Sequence, residues 1–270
     1  MGEASRRARA MSASGLQCIF CGGLRPATTE EHCPPRALFR DKAWPEGYAF
    51  PACKDCNGGS SDDDLIVAFL AQLRIGADQA TQQKAGGLMK AVNRQHPGFL
   101  RQMVDLSAVE ARAVARRLGM SPEPGQTYQQ MGVVRIPEAM HSGVESVAAK
   151  FTKGVYFRHT GAVFPADGGI LFHWFTNAQL REHGSIPVLD VFAQFAAVEP
   201  PLTRNGRNLS DQFSYRYSAA EDGSVHVLQA TVSDVFGFVT LFSPIPGQMA
   251  GMRDEMRARL GGTFSPFKLL

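Results

Sequence analysis

The sequence predicts an α+β protein in which a small cysteine-organised unit, a helical middle and a β-rich last third follow one another. Three observations carry this. Residues 16–60 are rich in Cys, Gly and Pro, with apolar pieces too short to pack a core of their own. From Asp62 onward apolar residues recur at helical spacing. Beyond about residue 155, β-branched and aromatic runs alternate with turn signals. A chain of 270 residues is long enough for one large or two modest domains.

The elements follow in order. Residues 1–15 carry Arg6, Arg7 and Arg9 among small polar residues, with no apolar stretch behind them. They read as a flexible basic arm rather than a secretory leader. Ser60 or Ser61 followed by Asp62, Asp63 and Asp64 is a helix start, because carboxylates oppose the positive end of the helix. Leu65, Ile66, Phe69, Leu70 and Leu73 form its apolar stripe. Helices are expected near Lys84–Asn93 and Ala108–Leu118, parted by His96-Pro97-Gly98. Another is expected over Pro137–Lys153, with Met140, Val144, Val147 and Phe151 on one face. Val155-Tyr156-Phe157, Thr160-Gly161 and Ala162-Val163-Phe164 then read as strand, turn, strand. Further strands are expected at Ile170–Phe175, Val188–Phe195, Gln212–Tyr217, Val225–Val232 and Phe236–Phe242, with a closing helix at Gly247–Leu260. This divides the chain into an arm (1–15), a cysteine-organised module (16–75), a helical segment (76–135) and an α+β domain with an antiparallel sheet (136–270).

Composition excludes little. Lys and Arg exceed Asp and Glu by 28 − 25 = 3, so any phosphate-binding surface must come from local clustering. No run of about 18 apolar residues suggests a membrane span. Four of the five cysteines form the pairs Cys18-x-x-Cys21 and Cys53-x-x-Cys56. Such pairs point to a metal site in a reducing, cytoplasmic setting rather than to a disulfide scaffold. Two C-x-x-C knuckles supply the tetrahedral thiolate set of structural zinc. Cys33, left over, reads as a buried small apolar residue. The 31 residues between the pairs exceed what a simple ribbon needs, so a further element must lie inside.

That insert contains Thr28-Thr29-Glu30-Glu31-His32-Cys33-Pro34-Pro35-Arg36, and Asn57 directly follows the second knuckle. Over residues 16–73 the chain resembles the HNH endonuclease family, specifically zinc-stapled members with a T-x-E-H-x-x-P segment and a C-x-x-C-N end. The resemblance implies a ββα-metal, treble-clef-like module. It implies Glu31 and Asn57 as ligands of a catalytic Mg²⁺ or Mn²⁺, and His32 as general base. It also implies DNA as substrate, with RNA left open, and a bacterial defence or mobile-element setting. The residue types suit this chemistry: an imidazole titrating near 6.5 can take a proton from water at neutral pH. Oxygen ligands hold a hard cation that stabilises charge at phosphorus. Arg36 could clamp a phosphate with its planar fork, or simply be solvated.

Two positions depart from the family pattern. Tyr48 stands where members carry an Asn that ties down the loop bearing the base, and its hydroxyl is the candidate replacement. Asn57 stands where a histidine is often found. Asp62–Asp64 read as a charged first helical turn rather than as part of the metal site. His159 reads as structural or exposed, and His173 and Trp174 as packing. The loop Arg204-Asn205-Gly206-Arg207-Asn208 and the helix residues Arg253, Arg257 and Arg259 are further candidate backbone contacts. A homodimer would suit cutting both strands. The alternative function is a degenerate, non-catalytic zinc module that binds nucleic acid or a protein partner.

Overall fold

The computed structural model describes residues 15–73, 78–104, 106–117, 120–131, 134–176, 197–260 and 267–270. Strand β1 (Thr29–His32) pairs antiparallel with β2 (Ala49–Ala52), setting Glu31 opposite Phe50 and His32 opposite Ala49. The short helix α1 (Lys54–Gly58) follows directly from Cys53, and α2 (Ser61–Leu70) begins after Ser60 with Asp62–Asp64 in its first turn. The backbone then tightens, with Leu73 N–H bonding to Leu70 O, so Leu73 lies just past the helix.

Helix α3 (Gln79–Gln95) starts where Asp78 accepts from Thr81 N at 2.7 Å. His96-Pro97-Gly98 breaks the chain as expected, and α4 (Phe99–Val104) and α5 (Ala108–Arg117) follow. Ser107 and Glu110 form a reciprocal cap on α5.

The largest departure from the sequence reading is α6 (Glu138–Thr160). The residues expected as a first strand, Val155-Tyr156-Phe157, form its last turns, and Ala162-Val163-Phe164 is irregular. Val155 extends the buried stripe of Val144, Val147 and Phe151, and that packing overrides local β propensity. Gly161, at φ 72°, ends the helix and donates its N–H to Phe157 O.

Strand β3 (Gly169–Thr176) is followed by a small hairpin of β4 (Thr203–Arg204) and β5 (Arg207–Asn208). Then come β6 (Phe213–Ala219), β7 (His226–Val232), β8 (Phe236–Ser243), α7 (Gln248–Leu260) and β9 (Lys268–Leu269). The main sheet runs β6-β7-β8-β3-β9 and is antiparallel throughout. Strands β6 and β7 alternate buried with half-buried residues, whereas β8 is buried along its whole length. Both faces of β8 are covered. Phe236, Phe238 and Phe242 join the main core with Phe151 of α6, and Val239 and Leu241 join a smaller cluster with Met249 of α7. The strand expected at Val188–Phe195 lies outside the described residues, as do Arg6, Arg7 and Arg9.

Helix α6 positions the candidate site. Its Gly154 lies so close to Phe50 of β2 that a Cβ there would come within 3.0 Å of the ring. Phe151, fully buried, meets Phe213 and Tyr215 of β6 edge to face at 4.9 and 5.2 Å between ring centres. One buried cluster therefore runs from the cysteine pairs through α6 into the sheet. No helix among the described residues is long and apolar enough to cross a membrane.

Candidate functional site

The first C-x-x-C turn is closed by Cys18 N–H to Arg25 O at 2.9 Å and Gly23 N–H to Cys18 O at 2.9 Å. Gly22 and Gly23 take φ values of 69° and 78°, and a Cβ on Gly22 would stand 2.4 Å from Ala166 N. Only glycine allows both that turn and that approach. The second pair sits at the start of α1, where Asn57 N–H bonds to Cys53 O at 3.0 Å. The sulfurs of Cys18, Cys21, Cys53 and Cys56 all lie within 4.8 Å of one another. A tetrahedral zinc thiolate site spaces its sulfurs by about 3.8 Å, from Zn–S bonds of about 2.3 Å, so this cluster can hold one zinc ion. Burial works against the Cys53 thiolate. Hydrogen bonds from the backbone and thiol of Cys56, the thiol of Cys18 and the backbone of Asp55 outweigh it and bring the Cys53 pKa down to about 7. Burial and the neighbouring thiols push Cys21 and Cys56 the other way. Cys33 lies outside the cluster, fully buried, and burial pushes its thiol well up.

Two lysines of α6, three residues apart, grip the two knuckles. Lys153 Nζ donates to Phe20 O at 2.8 Å, and Lys150 Nζ donates to Cys56 O at 2.7 Å. Burial lowers the Lys153 pKa, while attraction to Cys56, Cys21 and Cys18 opposes that fall. Nothing in the sequence singled out this pair. The one trace was two lysines beside an apolar helical stripe.

The strand pleat separates Glu31 from His32. Glu31 points inward and is buried, and its Oε1 accepts from Lys150 Nζ at 2.6 Å. Lys150 also donates to Ser60 Oγ. Burial raises the Glu31 pKa, and Lys150 and Ser60 pull it back. Asn57 reaches the same strand, its Nδ2 donating to Thr29 Oγ1 at 2.8 Å and to Glu30 O at 3.0 Å. The structure thus brings Asn57 to the strand that carries Glu31 and His32. The carboxylate, however, is already held by an ammonium. A divalent cation does not fit beside Glu31 in this arrangement, since it would meet the buried charge of Lys150. Asp64 lies in the same electrostatic neighbourhood, with a buried Oδ1 that has no hydrogen-bond partner. Burial, then the Glu31 charge, pushes its pKa up to about 7.

His32, half-buried on the other face, lies nearly perpendicular to Trp44 at 4.7 Å between ring centres. The Arg36 guanidinium lies over the Trp44 ring at 3.9 Å, and that of Arg204, from β4, at 4.0 Å. Trp44 escaped the sequence reading, and Arg204 was one arginine of a polar loop with no visible partner. Tyr48 behaves differently from expectation. Its hydroxyl donates to Tyr215 OH at 2.9 Å in the core, and it is the Tyr48 carbonyl that accepts from Cys33 N at 3.0 Å, just after His32. The residue following His32 is therefore held by backbone, which any side chain at position 48 permits. Arg158 caps the Tyr48 ring at 4.4 Å and donates to Gly47 O at 3.0 Å. His159 stacks on Tyr217 at 4.1 Å between ring centres. Trp174 Nε1 donates to His141 Nδ1 at 3.0 Å.

No family model matches the chain, and comparisons with curated proteins and with solved structures found no match.

Proposed function

We propose that this chain is a zinc-stapled HNH-type nuclease that hydrolyses phosphodiester bonds of DNA, with His32 as the water-activating base. The observation that carries the reading is the pair of hydrogen bonds from the Asn57 amide to Thr29 and Glu30. They hold the residue after the second knuckle against the strand bearing the Glu31-His32 dipeptide. Zinc on Cys18, Cys21, Cys53 and Cys56 would lock the two ends of that motif together. In this reading His32 takes a proton from water as the water oxygen attacks phosphorus and the ester oxygen leaves. A second, catalytic metal would need the oxygens of Glu31 and Asn57. With Lys150 on Glu31, no step is assigned to such an ion.

The same Lys150–Glu31 pair favours a second reading, a non-catalytic module that binds nucleic acid or a partner. Supercoiled plasmid separates the two. Zinc-loaded protein is incubated without added divalent ion, with Mg²⁺ and with Mn²⁺, beside a His32→Ala variant, and a labelled RNA is run in parallel. Nicking by the parent, lost in His32→Ala at unchanged zinc content, supports the nuclease. Absence of cleavage under every condition supports the binding module.

A further inference from the structure

The remainder of the chain is not a bystander to this site, because one of its hairpins reaches the Trp44 ring that His32 also touches. The β4–β5 hairpin docks on the loop between β1 and β2 through two backbone-anchored bonds. Glu46 N–H donates to Thr203 O at 2.9 Å, and Asn205 N–H donates to Glu46 Oε1 at 2.9 Å. This docking places Arg204 over Trp44, with Arg36 over the same ring and the His32 imidazole 4.7 Å away between ring centres. Among the described residues neither guanidinium meets a carboxylate, in contrast to Arg40, which is paired with Asp211, and Arg25, paired with Asp55. The carboxylate of this loop, Glu46, is engaged by the hairpin backbone. Arg158 donates to Gly47 O of the same loop. A guanidinium lying over an aromatic ring keeps its N–H groups in plane and directed away from the ring, where they match two oxygens of one phosphate. The ring also removes much of the rotamer freedom that a solvated arginine would lose on binding.

We infer that Arg36 and Arg204, held over Trp44 beside His32, form a phosphate clamp that grips the backbone of a nucleic-acid strand at the site. The clamp deepens the nuclease reading and rests on it for the role of His32, but not for binding. Its two arginines come from distant parts of the chain, so the module of residues 16–75 alone supplies only half of it. The ligand chemistry is the phosphodiester, which DNA and RNA share. The 2′-hydroxyl and strand geometry decide between them.

The test is fluorescence anisotropy of a short labelled strand as single-stranded DNA, duplex DNA and RNA. It uses zinc-loaded full-length protein without added Mg²⁺ or Mn²⁺, over a range of salt. Arg36→Ala and Arg204→Ala should each weaken binding roughly tenfold and lower the slope of log affinity against log salt by about one. Arg204→Lys should keep the slope while losing part of the affinity, because an ammonium carries the charge without the fork. Arg135→Ala, whose guanidinium is paired with Glu110, should change binding by about twofold or less. The form that loses most identifies the strand recognised. If Arg204→Ala loosens the fold, seen as a lower melting temperature, Arg36→Ala and Arg204→Lys decide. The clamp is overturned if the parent binds none of the three forms, or if Arg36→Ala and Arg204→Lys both bind like the parent at every salt concentration. A parent that binds but never nicks ends the nuclease reading and leaves the clamp standing. A parent that nicks while both alanine variants bind normally does the reverse.

Discussion

Replacing Lys150 by Met tests how strand β1, which carries Glu31 and His32, is tied to the rest of the molecule. The aliphatic stem is kept and the ammonium is deleted. That ammonium serves Glu31 Oε1, Cys56 O and Ser60 Oγ, and the side chains of Lys150 and Glu31 are only 15% and 7% exposed. Removing one partner of a buried pair strands the other charge, at a cost of about 3–5 kcal/mol. The lost bonds to Cys56 O and Ser60 Oγ overlap with that figure rather than adding to it. In a chain of this size the loss corresponds to a fall of roughly 6–20 °C in melting temperature. The assay is urea unfolding of zinc-loaded protein at neutral pH, with Glu31→Gln and the double variant completing a cycle. Glu31→Gln in the Lys150→Met background should recover most of the loss, because the stranded charge is gone. The deficit should also shrink as pH falls and Glu31 takes a proton. A single variant that loses less than about 1 kcal/mol, or a double variant no better than the single, would refute the argument that this pair is a buried and interdependent unit.

Asp64→Asn should stabilise the protein at pH 8 by about 2–4 kcal/mol and do little near pH 4. The sign follows from a folded pKa of about 7 raised from 3.8: the neutral carboxyl's contribution is present below the lower value and is lost as pH rises through the higher one. Urea midpoints at pH 4, 6 and 8 check it. Gly22→Ala should cost about 1–3 kcal/mol and loosen zinc binding, because the new Cβ meets the Ala166 backbone at positive φ; zinc release to a chromogenic chelator reads it. Phe151→Ala should cost about 3–5 kcal/mol by emptying the contact between α6 and the sheet, seen in the same urea assay. Stripping zinc with a strong chelator should open residues 15–59 to protease before the β-sheet, because the metal's binding free energy is lost from that module while the sheet keeps all its contacts; the lysine bonds from α6 to Phe20 O and Cys56 O then carry the knuckles alone with the strand pairing.

What could be read from the sequence were features set by neighbours along the chain. The two C-x-x-C spacings, the Asp-rich helix start at Asp62–Asp64, the break at His96-Pro97-Gly98 and the alternating strands of β6 and β7 each follow from local rules, and the structure has them. Val155-Tyr156-Phe157 misled because the same residues satisfy a strand by propensity and a helix by their place in a stripe, and only packing against the core decides. The environment of the candidate site was equally out of reach. Lys150 is 119 residues from Glu31, and Arg204 lies on a hairpin whose own sequence is merely polar. Spacing in sequence fixes which ligands can converge within a turn or a strand. Which distant charge neutralises a buried carboxylate, and which guanidinium settles on an indole, depends on how helix α6 and the sheet fold back over the N-terminal module.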